Sequence, residues 1–389
     1  MSYEIQIPSI LIIGGGAFAK IPEVLARLRC VRPLIVTDPF MASTGLSTRL
    51  RDAIANAGVE CGVFSETVSD PTTEVVEAGV RAFLNGNFDS LVSIGGGSSI
   101  DTAKAIGMQV GNGGQVRDYK VPHSIPQAGP PHIAVPTTAG TGSEVTRFTV
   151  ITDAITREKM LVAGSPLLPT AAVVDYELTM SMPARLTADT GIGSLTHAIE
   201  SYVSRKANSF SDLFALQAMK KIWQHLPTAF HHPDSREARE AMMEGATLAG
   251  IAFSNASVAL VHGMSRPLGV FFHIPHGLSN AMLLPAVTAF SANSATARYA
   301  DCARAMDIAS TQDQNPIAVE KLIQALFQRN QELGVPSPKQ YGINEQRYVE
   351  VVPIMASQAL ASGSPENNPR VPSATEIEQL YQEVWNKDM

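Results

Sequence analysis

Three short stretches in the first half of the chain carry groups that can hold a dinucleotide. Gly95-Gly96-Gly97-Ser98-Ser99-Ile100-Asp101-Thr102-Ala103-Lys104 follows an apolar run and opens a helical pattern. Glycines let the backbone approach a pyrophosphate, and the N–H groups at a helix start attract anions. The turn lacks the Gly-x-Gly-x-x-Gly spacing, so a plain strand–helix connection stays open as its alternative. Asp38 ends a second apolar run. A carboxylate there accepts hydrogen bonds from both ribose hydroxyls of an adenosine and repels a 2′-phosphate, which favours NAD over NADP. Standing before Pro39, it can equally be a helix N-cap. Pro136-Thr137-Thr138-Ala139-Gly140-Thr141-Gly142-Ser143-Glu144-Val145-Thr146 gathers hydroxyls and small residues that can wrap a nucleotide, or form a polar surface loop.

The elements that must position these groups are legible from periodicity. Apolar runs at Ser9–Ile13, Leu34–Thr37, Ser90–Ile94, His132–Val135 and Ala171–Val174 end at Gly, Asp or Pro-Thr. Such runs are expected as strands buried on both faces. Helical patterns such as 22–28 and 46–57 lie between them, so a mainly parallel sheet covered by helices is expected, with ligands at the carboxyl ends of its strands. After Met182-Pro183 the β-branched runs fade. Helical spacing takes over at about 188–203, 212–226, 235–263, 293–306 and 316–333, and a last helix is expected from about Ser373. The boundary is placed near residue 180.

Composition bounds the class. The 389 residues are 45% hydrophobic with a formal net charge of −7, enough apolar content for large cores. No Lys/Arg stripe or basic block occurs, which argues against a nucleic-acid or anionic-membrane partner. No uninterrupted apolar run reaches membrane-span length, and Met1-Ser2-Tyr3-Glu4 has no basic segment ahead of an apolar one, so neither a span nor a secretory signal is expected. Cys30, Cys61 and Cys302 are far apart and odd in number, which suits a reducing cytoplasm better than a disulfide framework.

The glycine turn at 95–104, followed by the Pro-Thr-Thr-Ala-Gly-Thr-Gly-Ser-Glu stretch at 136–144, resembles the NAD-binding signature of the iron-containing (type III) alcohol dehydrogenases. Gly191-Ile192-Gly193-Ser194-Leu195-Thr196-His197, with His262 and His276, resembles their metal centre. The likeness runs from Ile10 to Asn367-Asn368-Pro369-Arg370. It implies a dehydroquinate synthase-like fold, with an α/β NAD-binding domain over residues 1–180 and an all-helical metal and substrate domain over 181–389. By position it implies that Gly96, Gly97 and Ser98 hold the pyrophosphate and that Asp101 lies near the nicotinamide half. Thr137, Thr138, Thr141 and Thr146 would line the nucleotide, and Lys159 would reach a ribose. His197, His262 and His276 would ligate a divalent metal, iron or zinc, in a cleft between the domains. The implied activity is NAD-dependent interconversion of a small alcohol and its aldehyde or ketone by hydride transfer, in a homodimer.

Two positions depart from the family pattern. Its motif reads Gly-x-Asp-Ala-Leu-Thr-His, with Asp and His both metal ligands, and here the Asp position is Gly193. Asp189 lies one helical turn away, about 6 Å along the axis, too far for a short side chain to substitute. Three readings follow: a three-His site with water in the fourth place, a metal-independent reductase of the maleylacetate reductase type, or a non-catalytic NAD-binding pseudoenzyme. Four residues after His262, where many members carry His, stands Arg266. A guanidinium is no ordinary base but pairs well with carboxylates, so a substrate carrying an acid group is expected. His273, three residues before His276, is a candidate proton relay.

Overall fold

The computed structural model describes residues 2–386. The chain divides into two compact units: Ile5–Ser181, and the chain from Met182 onward with the residues before Ile5.

The first unit holds eight strands: β1 (Ile10–Ile13), β2 (Pro33–Val36), β3 (Gly62–Phe64), β4 (Ser90–Gly95), β5 (His132–Pro136), β6 (Phe148–Thr152), β7 (Lys159–Ala163) and β8 (Ala171–Val174). Its helices are α1 (Ile21–Arg27), α2 (Pro39–Ser43), α3 (Leu46–Asn56), α4 (Thr73–Asn85) and α5 (Gly97–Asn112). Six strands form one sheet in the order β1-β8-β5-β4-β2-β3, with every pairing parallel. The continuous apolar runs have a simple cause. Leu34, Val36 and Leu91 enter a core with Val76, Phe83 and Ile106. Ile35, Val92, Ile94, Ile133 and Val173 enter another with Leu25, Leu50 and Ile54. Successive strand residues point to opposite faces, so a sheet packed on both sides leaves no polar alternation to read.

β3 and the antiparallel hairpin β6–β7 were not among the expected strands. The hairpin did carry a signal, because Phe148-Thr149-Val150-Ile151-Thr152 is rich in β-branched residues and alternates buried with half-buried.

The second unit is helical: α6 (Ala184–Val203), α7 (Ser209–His231), α8 (Arg236–Asn255), α9 (Leu260–Phe272), α10 (His276–Ser291), α11 (Thr296–Ala305), α12 (Asn315–Glu332), α13 (Glu345–Ala361) and α14 (Ala374–Asn386). Helix α6 is buried along nearly its whole length, with α7, α8 and α10 packed against it. Gly277 makes the α6–α10 approach possible, since a Cβ there would stand 2.3 Å from the Asp189 carbonyl oxygen. The helical stretch expected over 235–263 is two helices. It breaks at 256–259, and His262 lies in the first turn of α9 rather than late in one long helix. The reason is a buried carboxylate: Glu200 on α6 accepts from the N–H groups of Ala259 (2.9 Å) and Val261 (2.6 Å). It thereby caps the new helix and places negative charge at its amino end. Among the described residues no single helix is long and apolar enough to cross a membrane.

Candidate functional site

In the first unit the glycine turn links β4 to α5. Gly95 adopts φ 150°, and a Cβ there would sit 2.4 Å from Ser99 Oγ, so only glycine fits. Gly96, Gly97 and Ser98 are half-buried at the start of α5, the place where backbone N–H groups face an anion. The 136–146 stretch packs against this turn. Thr137 N–H donates to Gly95 O (2.9 Å), and a Cβ on Gly97 would meet Thr141 at 2.7 Å. Within that stretch Thr141 is exposed and Thr138 half-buried, while Thr137 and Thr146 are turned inward.

Asp38 keeps both readings alive. Its Oδ1 accepts from Met41 N–H at 2.9 Å, which makes it the N-cap of α2, and its Oδ2 accepts from Ser99 Oγ at 3.3 Å. The second contact ties it to the glycine turn, so the cap and the turn share one carboxylate. Asp101 accepts from Ser143 Oγ (2.6 Å) and Val150 N–H (3.0 Å), fastening α5 to the Thr-rich loop and β6. Burial pushes its carboxyl upward, opposed by the Lys104 charge. Lys104, to which sequence reasoning gave no role, donates to Ser143 Oγ, Thr146 O, Thr146 Oγ1 and Phe148 O at 2.8–3.1 Å. Burial lowers its pKa to about 8, against the pull of Asp101 and Glu144. The signal for it was the position, one turn after Asp101 on the same helix face. Lys159 opens β7 and forms an ion pair with Asp70 at 2.8 Å.

In the second unit the three imidazoles are neighbours. The His197 and His262 rings have centroids 4.6 Å apart at 18°, and those of His262 and His276 are 5.2 Å apart at 57°. Phe253 lies against the other side of the cluster, 4.2 Å from His197. His262 Nδ1 stands 2.6 Å from Glu200 Oε2. Burial and the Arg266 charge hold the His262 pKa down to about 3, so this contact is a hydrogen bond from a neutral ring rather than an ion pair. Burial pushes Glu200 up to about 7, against three backbone N–H donors and Arg266. His276 Nδ1 lies 3.4 Å from Ser265 Oγ, whose own proton is directed at His262 O. Both rings thus have Nδ1 occupied, leaving Nε2 as the lone-pair nitrogen. Glu200 and Ser265 were missed by sequence reasoning. For Glu200 the signal was its place three residues after His197, on the same helix face.

Gly193 is buried one turn before His197, and a Cβ there would meet only Gly277 Cα at an ordinary 3.5 Å. Asp189 is engaged by Arg185, which holds its carboxylate away from any role as a replacement. Arg266 is half-buried, and burial lowers its pKa while the Glu200 charge opposes that. Among the described residues no hydrogen bond or ion pair involving it is found. His273 is exposed at the C-terminus of α9 with φ 54°, and among the described residues no ring contact joins it to the three-histidine cluster.

Comparison with known proteins places this geometry. The family model for iron-containing alcohol dehydrogenases matches residues 8–176, and the C-terminal model of the same family matches 187–385. The chain belongs to the iron-containing alcohol dehydrogenase family. It is 40% identical over 375 residues to an NAD-dependent methanol dehydrogenase of Bacillus methanolicus, covering 96% of this chain and 97% of that one. It is 34% identical over 376 residues to lactaldehyde reductase of Escherichia coli (strain K12), again covering 96% and 97%. A crystal structure of 1,3-propanediol oxidoreductase superposes with a TM-score of 0.95 at 32% identity, covering 99% of this chain and all of that one.

The family implies a divalent metal, and the residues present can be tested for fit. Two imidazoles bound to one metal at about 2.1 Å, with donor angles between a right angle and the tetrahedral value, set their ring centres roughly 4.5–5.2 Å apart. His262 and His276, 5.2 Å apart and tilted at 57°, keep that separation, whereas His197 and His262, 4.6 Å apart, are stacked at 18° rather than converging edge-on. The rings also carry second partners of the kind that fix metal-binding tautomers. Yet among the described residues no group of three or more His, Cys, Asp or Glu side chains is placed to hold an ion, so the three imidazoles as they stand do not complete a metal site.

Proposed function

We propose that this protein is an NAD-dependent oxidoreductase interconverting a small alcohol and its aldehyde or ketone, with a divalent metal held by His197, His262 and His276. The observation that supports the reading is the Glu200–His262 contact, in which a buried carboxylate holds the proton on Nδ1 and leaves Nε2 as the nitrogen whose lone pair could meet a metal. The residues 1–180 would bind the dinucleotide and 181–389 would supply metal and substrate contacts. A metal held by these residues would supply Lewis-acid polarisation of the substrate oxygen, and a bound NAD would supply the hydride acceptor or donor. The chain's own residues do the rest. Gly96, Gly97 and Ser98 bind pyrophosphate at the α5 terminus, with Asp101 toward the nicotinamide half. Asp38 takes the adenosine ribose hydroxyls. Thr137, Thr138, Thr141 and Thr146 shape the nucleotide wall, and Lys159 reaches a ribose. His273, exposed, exchanges the alcohol proton with solvent. A homodimer is proposed on the resemblance alone, and the cytoplasm on three free cysteines, two of them buried.

The test is NADH formation from small alcohols, with aldehyde reduction in reverse, by protein loaded with Fe(II) or Zn(II). No turnover in either direction would overturn the reading. Undiminished activity after exhaustive chelation would replace it with a metal-independent reductase. Asp38→Ser separates cap from cofactor selectivity, because serine still caps α2. It is expected to shift the NAD/NADP preference toward NADP by about 10–100-fold in kcat/KM, the worth of a lost charged hydrogen bond. The check is steady-state kinetics with both cofactors.

A preference for acid-bearing substrates is favoured by one observation, the guanidinium of Arg266 on α9 one turn after His262, for which no hydrogen bond or ion pair is found among the described residues. Arg266→Ala is expected to raise KM for a semialdehyde carrying a carboxylate by about 10–100-fold while leaving neutral aldehydes near the parent value. An unchanged ratio of the two KM values would remove the preference.

A further inference from the structure

One face of α5 carries Gly97, Asp101 and Lys104, spaced four and three residues apart. The loop from β5 to β6 lies along it. A Cβ on Gly97 would meet Thr141 at 2.7 Å, and Asp101 accepts from Ser143 Oγ and Val150 N–H. Lys104, 3% exposed, reaches the Ser143 and Thr146 hydroxyls and the carbonyl oxygens of Thr146 and Phe148, all at 2.8–3.1 Å. The ends of the loop are tied to backbone, by Thr137 N–H to Gly95 O and Gly164 N–H to Arg147 O. Its middle closes on itself in a turn, Val145 N–H to Gly142 O, with Gly142 at φ 64°. The side chains of α5 are what fasten that turn to the glycine-rich helix start.

Donor arithmetic ties the fastening to charge. An ammonium has three N–H donors and no lone pair, and four oxygens face this one, so one donor is shared. A neutral amine would lose a donor and turn a lone pair toward an oxygen. Ser143 accepts from Lys104 and donates to Asp101, so its hydroxyl is ordered between a cation and a carboxylate. We propose that Lys104 is a positioning residue for the cofactor: its ammonium staples the 141–148 loop to α5, and the dinucleotide binds tightly only to the stapled form. This rests on the reading of residues 1–180 as the dinucleotide-binding part.

The charged and titratable groups facing Lys104 are Asp101 on its own helix, Glu144 in the loop and His132 on β5. The neighbouring strands β2, β4 and β6 carry no ionisable residue, and Glu74, Glu77 and Arg81 on α4 are exposed. Burial lowers the lysine pKa to about 8, opposed by Asp101 and Glu144. The ammonium is therefore present below that pH and lost above it, so cofactor affinity should fall as pH rises.

The experiment is NADH titration by fluorescence from pH 6.5 to 9.5, with amide exchange of the loop, for the parent, Lys104→Met and Ser143→Ala. The parent Kd should be flat up to about pH 7.5 and rise about 5–10-fold by pH 9, the limit for one required proton. Lys104→Met should raise Kd about 10–100-fold at pH 7, the worth of a charged hydrogen-bond set, and flatten the profile. Its 138–148 amides should exchange faster while α7 and α8 keep parent rates, which general destabilisation would not do. Ser143→Ala, a small truncation safe for folding, should raise Kd about 3–10-fold. A flat parent profile, or parent-like Kd in Ser143→Ala and in folded Lys104→Met, overturns the staple while leaving cofactor binding intact. Weakened binding in Lys104→Met with parent-like loop exchange also overturns it. If the parent itself does not bind NADH, the dinucleotide reading falls and this inference with it.

Discussion

Gly193→Asp is expected to tighten divalent-metal binding by about 100-fold or more, the largest gain any single change in this chain should give. Supporting contacts around metal ligands are already worth roughly 10–100-fold in affinity, and a direct anionic ligand should exceed them. The backbone admits the change. A Cβ at 193 meets only Gly277 Cα at 3.5 Å, and the position lies one turn before His197 on the same face of α6. Helix preference is nearly neutral, because Asp is only a few tenths of a kcal/mol better than Gly in a helix interior. The cost falls on the metal-free state, where a buried carboxylate lacks a cation and must desolvate. Two melts therefore separate the terms. The apo variant should unfold below the apo parent, and with saturating Zn(II) the order should reverse, since a ligand stabilises by RT ln(1 + [L]/Kd). Equal metal affinity in the two proteins would mean that the imidazoles do not form a metal site of this kind.

How much of this could be read from residues alone depends on whether a feature has a period or a spacing. The five strands with uninterrupted apolar runs announced themselves because both faces of the sheet are covered. β3, three residues long, offered too little pattern. The glycine turn and the Thr-rich loop were visible as motifs, and the contact between Gly97 and Thr141 gives them one physical reason to occur together. The histidines were visible only through a resemblance, since no local spacing unites residues 197, 262 and 276. Glu200 stood in plain view beside His197, yet its purpose needed the third dimension. Its carboxylate partners lie 59 to 62 residues downstream. The helix break at 256–259 was hidden for the same reason. Nothing in Ala256-Ser257-Val258-Ala259 demands a stop, and the cap that permits one comes from another helix.

Glu200 should prove the most costly single residue to lose in the helical unit. Its two oxygens accept from Ala259 N–H, Val261 N–H and His262 Nδ1–H, all buried. Glu200→Ala strands these donors, and removing one partner from such a buried charged network typically costs about 3–5 kcal/mol. Glu200→Gln is the sharper probe because its shape is kept. Oε2 serves Ala259 and His262 while Oε1 serves Val261, so whichever way the amide sits, its NH2 faces a backbone N–H. One unsatisfied donor should cost about 1–3 kcal/mol by denaturant unfolding. The loss of the carboxylate charge lowers the basicity of His262 Nε2, and metal affinity should fall by about 10–100-fold. If stability falls in Glu200→Gln while metal affinity by chelator competition stays at the parent value, the carboxylate caps α9 and does nothing for the ligand. If both fall together, one buried side chain both ends the break between α8 and α9 and sets the proton on the imidazole that follows it, and the local fold of the site is inseparable from its chemistry.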